Sequence, residues 1–153
     1  MTAGRCTCGA VSYRMTAAPM IVHCCHCSWC QRESGSAFVM NAVVETAALD
    51  VSGTPELVET PSASGAGQTI ARCPECRVAL WSHYPNAGRK AAFVRVGTLA
   101  EPNAFPPDVH VYTSTRQGWV ALPEGAPAFE GFYNPAELWT PAMRARWAAM
   151  MAS

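Results

Sequence analysis

The sequence has no basic run, no long apolar stretch and little charge of either sign. Only 14% of its 153 residues are charged, and eleven Lys and Arg balance eleven Asp and Glu. A chain without a positive patch has nothing to hold a polyphosphate backbone or an anionic bilayer. Nucleic acid and membrane partners are therefore not expected. No apolar run reaches the roughly 20 residues of a membrane-crossing helix. Met1 to Cys6 lack the apolar segment of a secretion signal, and a cytoplasmic location is the expectation that follows. Internal repeats and long linkers are also missing. Residues 1–153 are expected to form one domain, a length that supports a single core.

What the chain does contain is cysteine. Eight are present, and in a reducing compartment they are better read as metal ligands than as disulfides. They fall into a C-x-C pair (Cys6, Cys8), a C-x-C-x-x-C triplet (Cys25, Cys27, Cys30) and a C-x-x-C pair (Cys73, Cys76), with Cys24 left over. The stretch His23 to Cys30 alone carries four of the eight cysteines and two of the four histidines. In an extended backbone Cys25 and Cys27 project to one face, and Cys24 and His26 to the other. Cys30 follows at a spacing that lets a turning chain return a third sulfur to the same centre. Three converging thiols suit a zinc site that keeps one position for water or substrate. The alternative is a closed site, with Cys24, His23, His26 or a distant residue as fourth ligand. A pair of thiols cannot complete a tetrahedral site, so Cys6 and Cys8 need Cys73 and Cys76. The four together would clamp the first strand to the middle of the chain.

The remaining pattern is mostly β. Val11, Tyr13 and Met15 alternate with polar residues, as in a half-buried strand. Met20 to Val22, Ala37 to Val44, Leu57-Val58, Val78 to Trp81, Ala91 to Val96, His110 to Tyr112 and Trp119-Val120 are further strand candidates. Gln31 to Ser36 reads as a polar turn, and Pro61 to Gly67 as a flexible small-residue loop that carries no chemistry. Helices are expected only in a tail over about 134–153. Asn134 caps Pro135 with Glu137 at the capping-box position, and Thr140-Pro141 opens a second helix. Met143, Trp147, Met150 and Met151 lie there at the spacing of a face that packs on the sheet. A redox dithiol at Cys73-Pro74-Glu75-Cys76 would need a helix after the first cysteine, and the residues that follow favour a strand.

Cys6-x-Cys8-Gly9, Cys25-His26-Cys27-x-x-Cys30 with Ser34-Gly35-Ser36, and Cys73-x-x-Cys76 together resemble the glutathione-dependent formaldehyde-activating enzyme family, to which centromere protein V also belongs. Gly97-Thr98-Leu99 and His110 followed by Trp119 extend the resemblance to about residues 4–122. Two positions depart from it. Arg77 stands where the family usually has glycine, and Cys24 is an additional thiol.

The resemblance implies a β-tent fold: small antiparallel sheets around a structural zinc, here followed by short C-terminal helices. It assigns Cys6, Cys8, Cys73 and Cys76 to that structural zinc, and Cys25, Cys27 and Cys30 to a second, catalytic zinc. It further implies glutathione as the thiol, and carbon–sulfur lyase chemistry on glutathione–aldehyde adducts such as S-hydroxymethylglutathione. A non-catalytic zinc-stabilised binding module is the competing reading, because function rests on the site and not on the fold. No general acid or base is assigned. His26 is turned from the ligands, and His110 reads as a hydrogen-bonded core residue. Arg32 and Arg72 are candidates for a substrate carboxylate, with solvation as their ordinary fate.

Overall fold

The computed structural model describes residues 1–153. Ten strands are formed: β1 (Thr2–Arg5), β2 (Ser12–Met15), β3 (Ile21–Cys25), β4 (Val39–Glu45), β5 (Leu49–Ser52), β6 (Glu56–Thr60), β7 (Gln68–Arg72), β8 (Ala79–His83), β9 (Ala91–Arg95) and β10 (Val109–Val111). Helix α1 (Ser28–Ser34) interrupts them early, and α2 (Pro135–Leu138) and α3 (Pro141–Ala152) end the chain. The strands make a three-stranded sheet ordered β1-β2-β5 and a seven-stranded sheet ordered β10-β3-β4-β9-β8-β7-β6. The mainly β reading with C-terminal helices holds, but the sheets are not uniformly small or antiparallel. Most strands gather into one sheet, and β10 pairs with β3 in parallel, His110 opposite Cys24. The outer side of β10 is covered by residues 127–131, through His110 N–H to Pro127 O (2.8 Å) and Phe129 N–H to His110 O (3.0 Å). An exposed strand edge is thereby avoided.

All five residues of β3 and all five of β9 are buried, because both faces of the large sheet are covered. On one face Val22, Ala42, Val94 and Leu80 pack against Tyr13 and Met15 of the small sheet. On the other, Ile21, Val43 and Phe93 pack with Cys27 and Cys30 and with Tyr133, Trp139 and Met150 of the tail. Strand alternation thus separates the cysteines. Cys6 and Cys73 belong to the first core, and Cys25, Cys27 and Cys30 to the second.

Three local expectations change. Most of the polar stretch Gln31 to Ser36 belongs to helix α1 instead of a turn. Cys27 caps it by accepting from Cys30 N–H (3.3 Å), and Gly35 ends it in the left-handed region at φ 67°. Trp119-Val120 is not a strand. Trp119 lies 75% exposed in a turn, its indole N–H bonded to Gln117 Oε1 (2.7 Å). In the tail, Asn134 and Thr140 cap their helices as read, at 3.0 Å and 3.2 Å. Glu137, however, does not reach back to complete a capping box; only its backbone N–H bonds Asn134 O. Met150 is buried and Met143 and Trp147 half-buried, whereas Met151 faces outward.

The departure at Arg77 has a visible cost. The turn after Cys73 closes through Arg77 N–H to Cys73 O (3.0 Å) and holds Arg77 at φ 64°. A side chain in that region costs about 1–2 kcal/mol, which glycine avoids. The exposed ion pair of Arg77 with Glu56 offsets little of this. Arg77→Gly should therefore raise the free energy of unfolding by about 0.5–1 kcal/mol, after allowance for glycine's greater freedom in the unfolded chain. Urea denaturation of the two proteins checks this, and a loss of stability would refute it.

Candidate metal centres

The turn following Cys6 and the turn following Cys73 bring four sulfurs together, all within 4.8 Å of one another. Cys8 Sγ lies 3.6 Å from both Cys6 Sγ and Cys73 Sγ. Ligand sulfurs about 2.3 Å from a tetrahedral zinc stand about 3.8 Å apart, so this donor set fits that ion. None of the cysteines is in a disulfide. Backbone N–H groups also point at the sulfurs, as Val11 N–H does at Cys6 (3.3 Å). Hydrogen bonding at Cys8 and Val78 pulls the Cys76 thiol down to about 6. After Cys76 the chain enters β8 and not a helix, so the dipole that would activate a redox dithiol is absent.

The second centre is built where β3 ends. Cys25 is the last strand residue, Cys27 is the cap of α1 and Cys30 lies in its first turn. Their three sulfurs fall within 4.8 Å of one another. Hydrogen bonds from Cys25 and Cys30 draw the Cys27 thiol down to about 3, and the same bonding with burial pushes Cys25 up. The loop is held from outside by Gln31 Nε2 and Thr115 Oγ1, which both donate to His26 O, at 2.8 Å and 3.1 Å.

None of the alternative fourth ligands joins these sulfurs. Cys24 projects to the opposite face and forms a separate buried group with His26 and His110. There Cys24 Sγ lies 3.5 Å from His26 Nε2, which lies 2.9 Å from His110 Nδ1, with the rings stacked. Burial, reinforced by His110, lowers His26 to about 4, and burial lowers His110 too. Both are neutral, hydrogen-bonded core residues. His23 does share the face of Cys25, but its Nε2 is bonded to Tyr133 Oη (2.7 Å). That oxygen accepts from Trp139 Nε1–H (2.9 Å), which leaves the tyrosine proton for His23 Nε2. Burial holds His23 down at about 4, in the neutral form.

Three thiolates around a divalent ion carry a net negative charge, and burying it requires a counter-charge. Arg95 is suited to that role. It is buried on the same face of β9 as Phe93, donates to Asn41 Oδ1 and to Ser82 Oγ (2.8 Å), and pairs with no carboxylate. Asn41 in turn lines the chamber with the three cysteines. The donor set and this unpaired cation together fit a zinc held by Cys25, Cys27 and Cys30.

Above the three sulfurs is a chamber of about 330 Å³, within the usual range for small-ligand pockets. Its walls come from α1 (Trp29), β9 (Phe93), the turn after β8 (Tyr84, Asn86), the tail (Phe132), the first residue of β7 (Gln68) and the loop before β7 (Ser62, Ser64). That loop is part of the stretch expected to carry no chemistry; instead it is one wall of the site. Small polar residues between strands give no signal of what they will cover. Arg32 is exposed, Arg72 pairs with Glu33, and neither lines the chamber.

A family model described as "Glutathione-dependent formaldehyde-activating enzyme" matches residues 1–115. A solved structure of a Rhodobacter sphaeroides protein is similar at 20% identity, covering 64% of this chain and 87% of that chain with a TM-score of 0.46. No curated protein matches. All eight cysteines lie inside the family match, while Phe132, Tyr133 and Trp139 lie beyond it. The bond chain His23–Tyr133–Trp139 is one of the ties between this tail and the core. Tyr133→Phe leaves two buried groups without a partner and should lower stability by about 1–3 kcal/mol. Chemical denaturation with zinc content held constant checks it; an unchanged midpoint would show that the tail is anchored elsewhere.

Proposed function

Because the chain belongs to the glutathione-dependent formaldehyde-activating enzyme family, we propose that it is a zinc-dependent carbon–sulfur lyase acting on adducts of a thiol with an aldehyde, of the S-hydroxymethylglutathione type. The reading assigns two zinc ions to the chain. Cys6, Cys8, Cys73 and Cys76 hold a structural one, and Cys25, Cys27 and Cys30 hold the one at the reaction site. The observation that carries the proposal is the convergence of only three sulfurs beneath a chamber, with Cys24 turned to the other side of the sheet.

Zinc bound there would favour the thiolate of an incoming thiol, whose pKa is otherwise about 8.5. In the synthetic direction the sulfur bonds to the aldehyde carbon. The carbonyl electron pair moves to oxygen, and the proton lost by the thiol ends on that oxygen as a hydroxyl. Cleavage is the reverse: the hydroxyl loses its proton, the carbonyl re-forms and the carbon–sulfur bond breaks. The side chains contribute placement and exclusion of water. Phe93, Phe132 and Trp29 make most of the wall apolar, which strengthens polar interactions inside it. Tyr133 Oη fixes the orientation of His23, a neutral polar group on the same wall. Arg95 places positive charge behind Asn41, where the site's excess negative charge lies.

Elemental analysis of the purified chain should find two zinc ions, the number that these ligand sets require. Cys73→Ser should unfold or aggregate the protein, since it opens a clamp between distant segments. Cys27→Ser should lose one zinc and keep the β-rich fold; equal destabilisation by both changes would refute the division of roles. Formation or cleavage of S-hydroxymethylglutathione should exceed the uncatalysed rate in the wild type and in Cys24→Ala, and should vanish in Cys25→Ala. If Cys24→Ala instead releases the second zinc and no thiol reaches the metal, the site is closed and the binding-module reading replaces the enzyme.

A further inference from the structure

Tyr84 is the first residue after β8. Strand alternation carries it to the same side as Ser82, whose hydroxyl receives a hydrogen bond from Arg95 (2.8 Å). Its ring meets Phe93 edge-on at 4.7 Å, and both rings line the chamber with Cys25, Cys27 and Cys30. The hydroxyl of a largely covered tyrosine ordinarily finds a partner. That of Tyr84 has none in the protein, whereas other polar groups of the lining do. Asn41 receives Arg95, and Ser62 and Ser64 hold each other (3.1 Å). The Tyr84 oxygen is not sealed in, as Gln68 Oε1 is; it opens on the chamber.

A second observation places this hydroxyl near the sulfurs. Burial pushes its pKa up, Arg95 pulls it down, and Cys30, Cys25 and Cys27 raise it further. It therefore lies within electrostatic reach of all three thiols and of the buried Arg95, which has no carboxylate partner. Tyr112 flanks the sulfurs from the β10 side, where burial and the same thiols raise its pKa with no cation to oppose them. A phenol keeps its proton at neutral pH and can donate it in a hydrogen bond. Negative charge developing on an oxygen beside Tyr84 would meet that donor with positive charge behind it, the arrangement that stabilises an oxyanion.

We propose that Tyr84 is a catalytic residue whose Oη–H donates a hydrogen bond to the aldehyde-derived oxygen of the adduct. The proposal rests on the lyase reading given above and adds the group that holds the reacting oxygen. As the thiol sulfur bonds to the carbonyl carbon, the carbonyl electron pair moves to that oxygen. Tyr84 steadies it until it takes up the proton that the thiol released to solvent. In cleavage the hydroxyl returns its proton to solvent, the carbonyl re-forms, and the electrons of the carbon–sulfur bond go to sulfur. Tyr84 keeps its own proton throughout.

S-acetylglutathione carries an oxygen on the carbon next to sulfur, and S-ethylglutathione carries only hydrogen there. Calorimetric titration of the zinc-loaded chain should give the first a Kd about three- to tenfold below the second, and Tyr84→Phe should erase the difference. The same change should lower kcat for cleavage of S-hydroxymethylglutathione about 100-fold. Zinc content and the urea midpoint should stay at the wild-type values, because the hydroxyl has no partner in the fold to lose. A lowered midpoint, or altered thiolate-to-cobalt absorption in the ligand-free, cobalt-substituted variant, would show that the hydroxyl serves the fold or the metal, and would overturn the proposal. Equal binding of the two conjugates by the wild type overturns it as well. If the wild type cleaves the adduct and Tyr84→Phe cleaves it as fast, the lyase reading stands and this proposal falls. If the wild type shows no cleavage but prefers the acetyl conjugate in a Tyr84-dependent way, the oxygen site stands and the lyase reading falls.

Discussion

Successive residues of a strand project to opposite faces, and in β3 that rule decides which groups can meet. His23 and Cys25 go to the face that carries the chamber. Cys24, one residue away, goes to the other and finds His26 and His110. A slip of one residue in the pairing of β3 with β4 or β10 would exchange the two sets. Both neighbours fix the register, with Cys25 opposite Val39 on one side and Val111 on the other. The three-thiol arrangement is therefore a property of the sheet, set by one pairing made just after the cysteine loop and another made far from it in sequence.

The four-thiol cluster solves a different problem. Cys6 and Cys8 lead from the small sheet, while Cys73 and Cys76 join β7 to β8 in the large one. The two sheets share a core, and a metal at this point would cross-link them at the end of that core. The tail is fastened to the opposite face without metal. Tyr133 links His23 to Trp139, and Arg146 forms a two-pronged pair with Glu45 at the end of β4. One face would thus be closed through sulfur chemistry, and the other is closed by aromatic packing and hydrogen bonds.

Much of this was legible in the sequence, for reasons that can be named. Cysteine spacing sorted seven thiols into the groups that the fold assembles, because each pair or triplet sits on a short extended or turning segment. Alternation found β2, and apolar runs found β4, β8 and β9. Asn134 and Thr140 announced their helices by cap chemistry. Helix α1 escaped because seven residues are too few to display a period, and its cap is a cysteine. Trp119-Val120 had the composition of a strand but no neighbour to pair with. The size of the large sheet and the parallel join of β10 to β3 depend on long-range order, which local pattern does not carry. The same limit hid the part played by Ser62 and Ser64: a loop's composition tells that it turns, not what it covers.

The chamber is assembled from segments widely separated along the chain, and this sets an order in time. During synthesis the N-terminal regions emerge first. Cys25, Cys27 and Cys30 precede Phe132, Tyr133 and Trp139 by about a hundred residues. A metal bound by those sulfurs before the tail docks would meet an open cleft, and the aromatic wall would close over it afterwards. Entry of metal and entry of substrate would in this way be separate events. The first would need no path through the finished wall, and the second would be filtered by it.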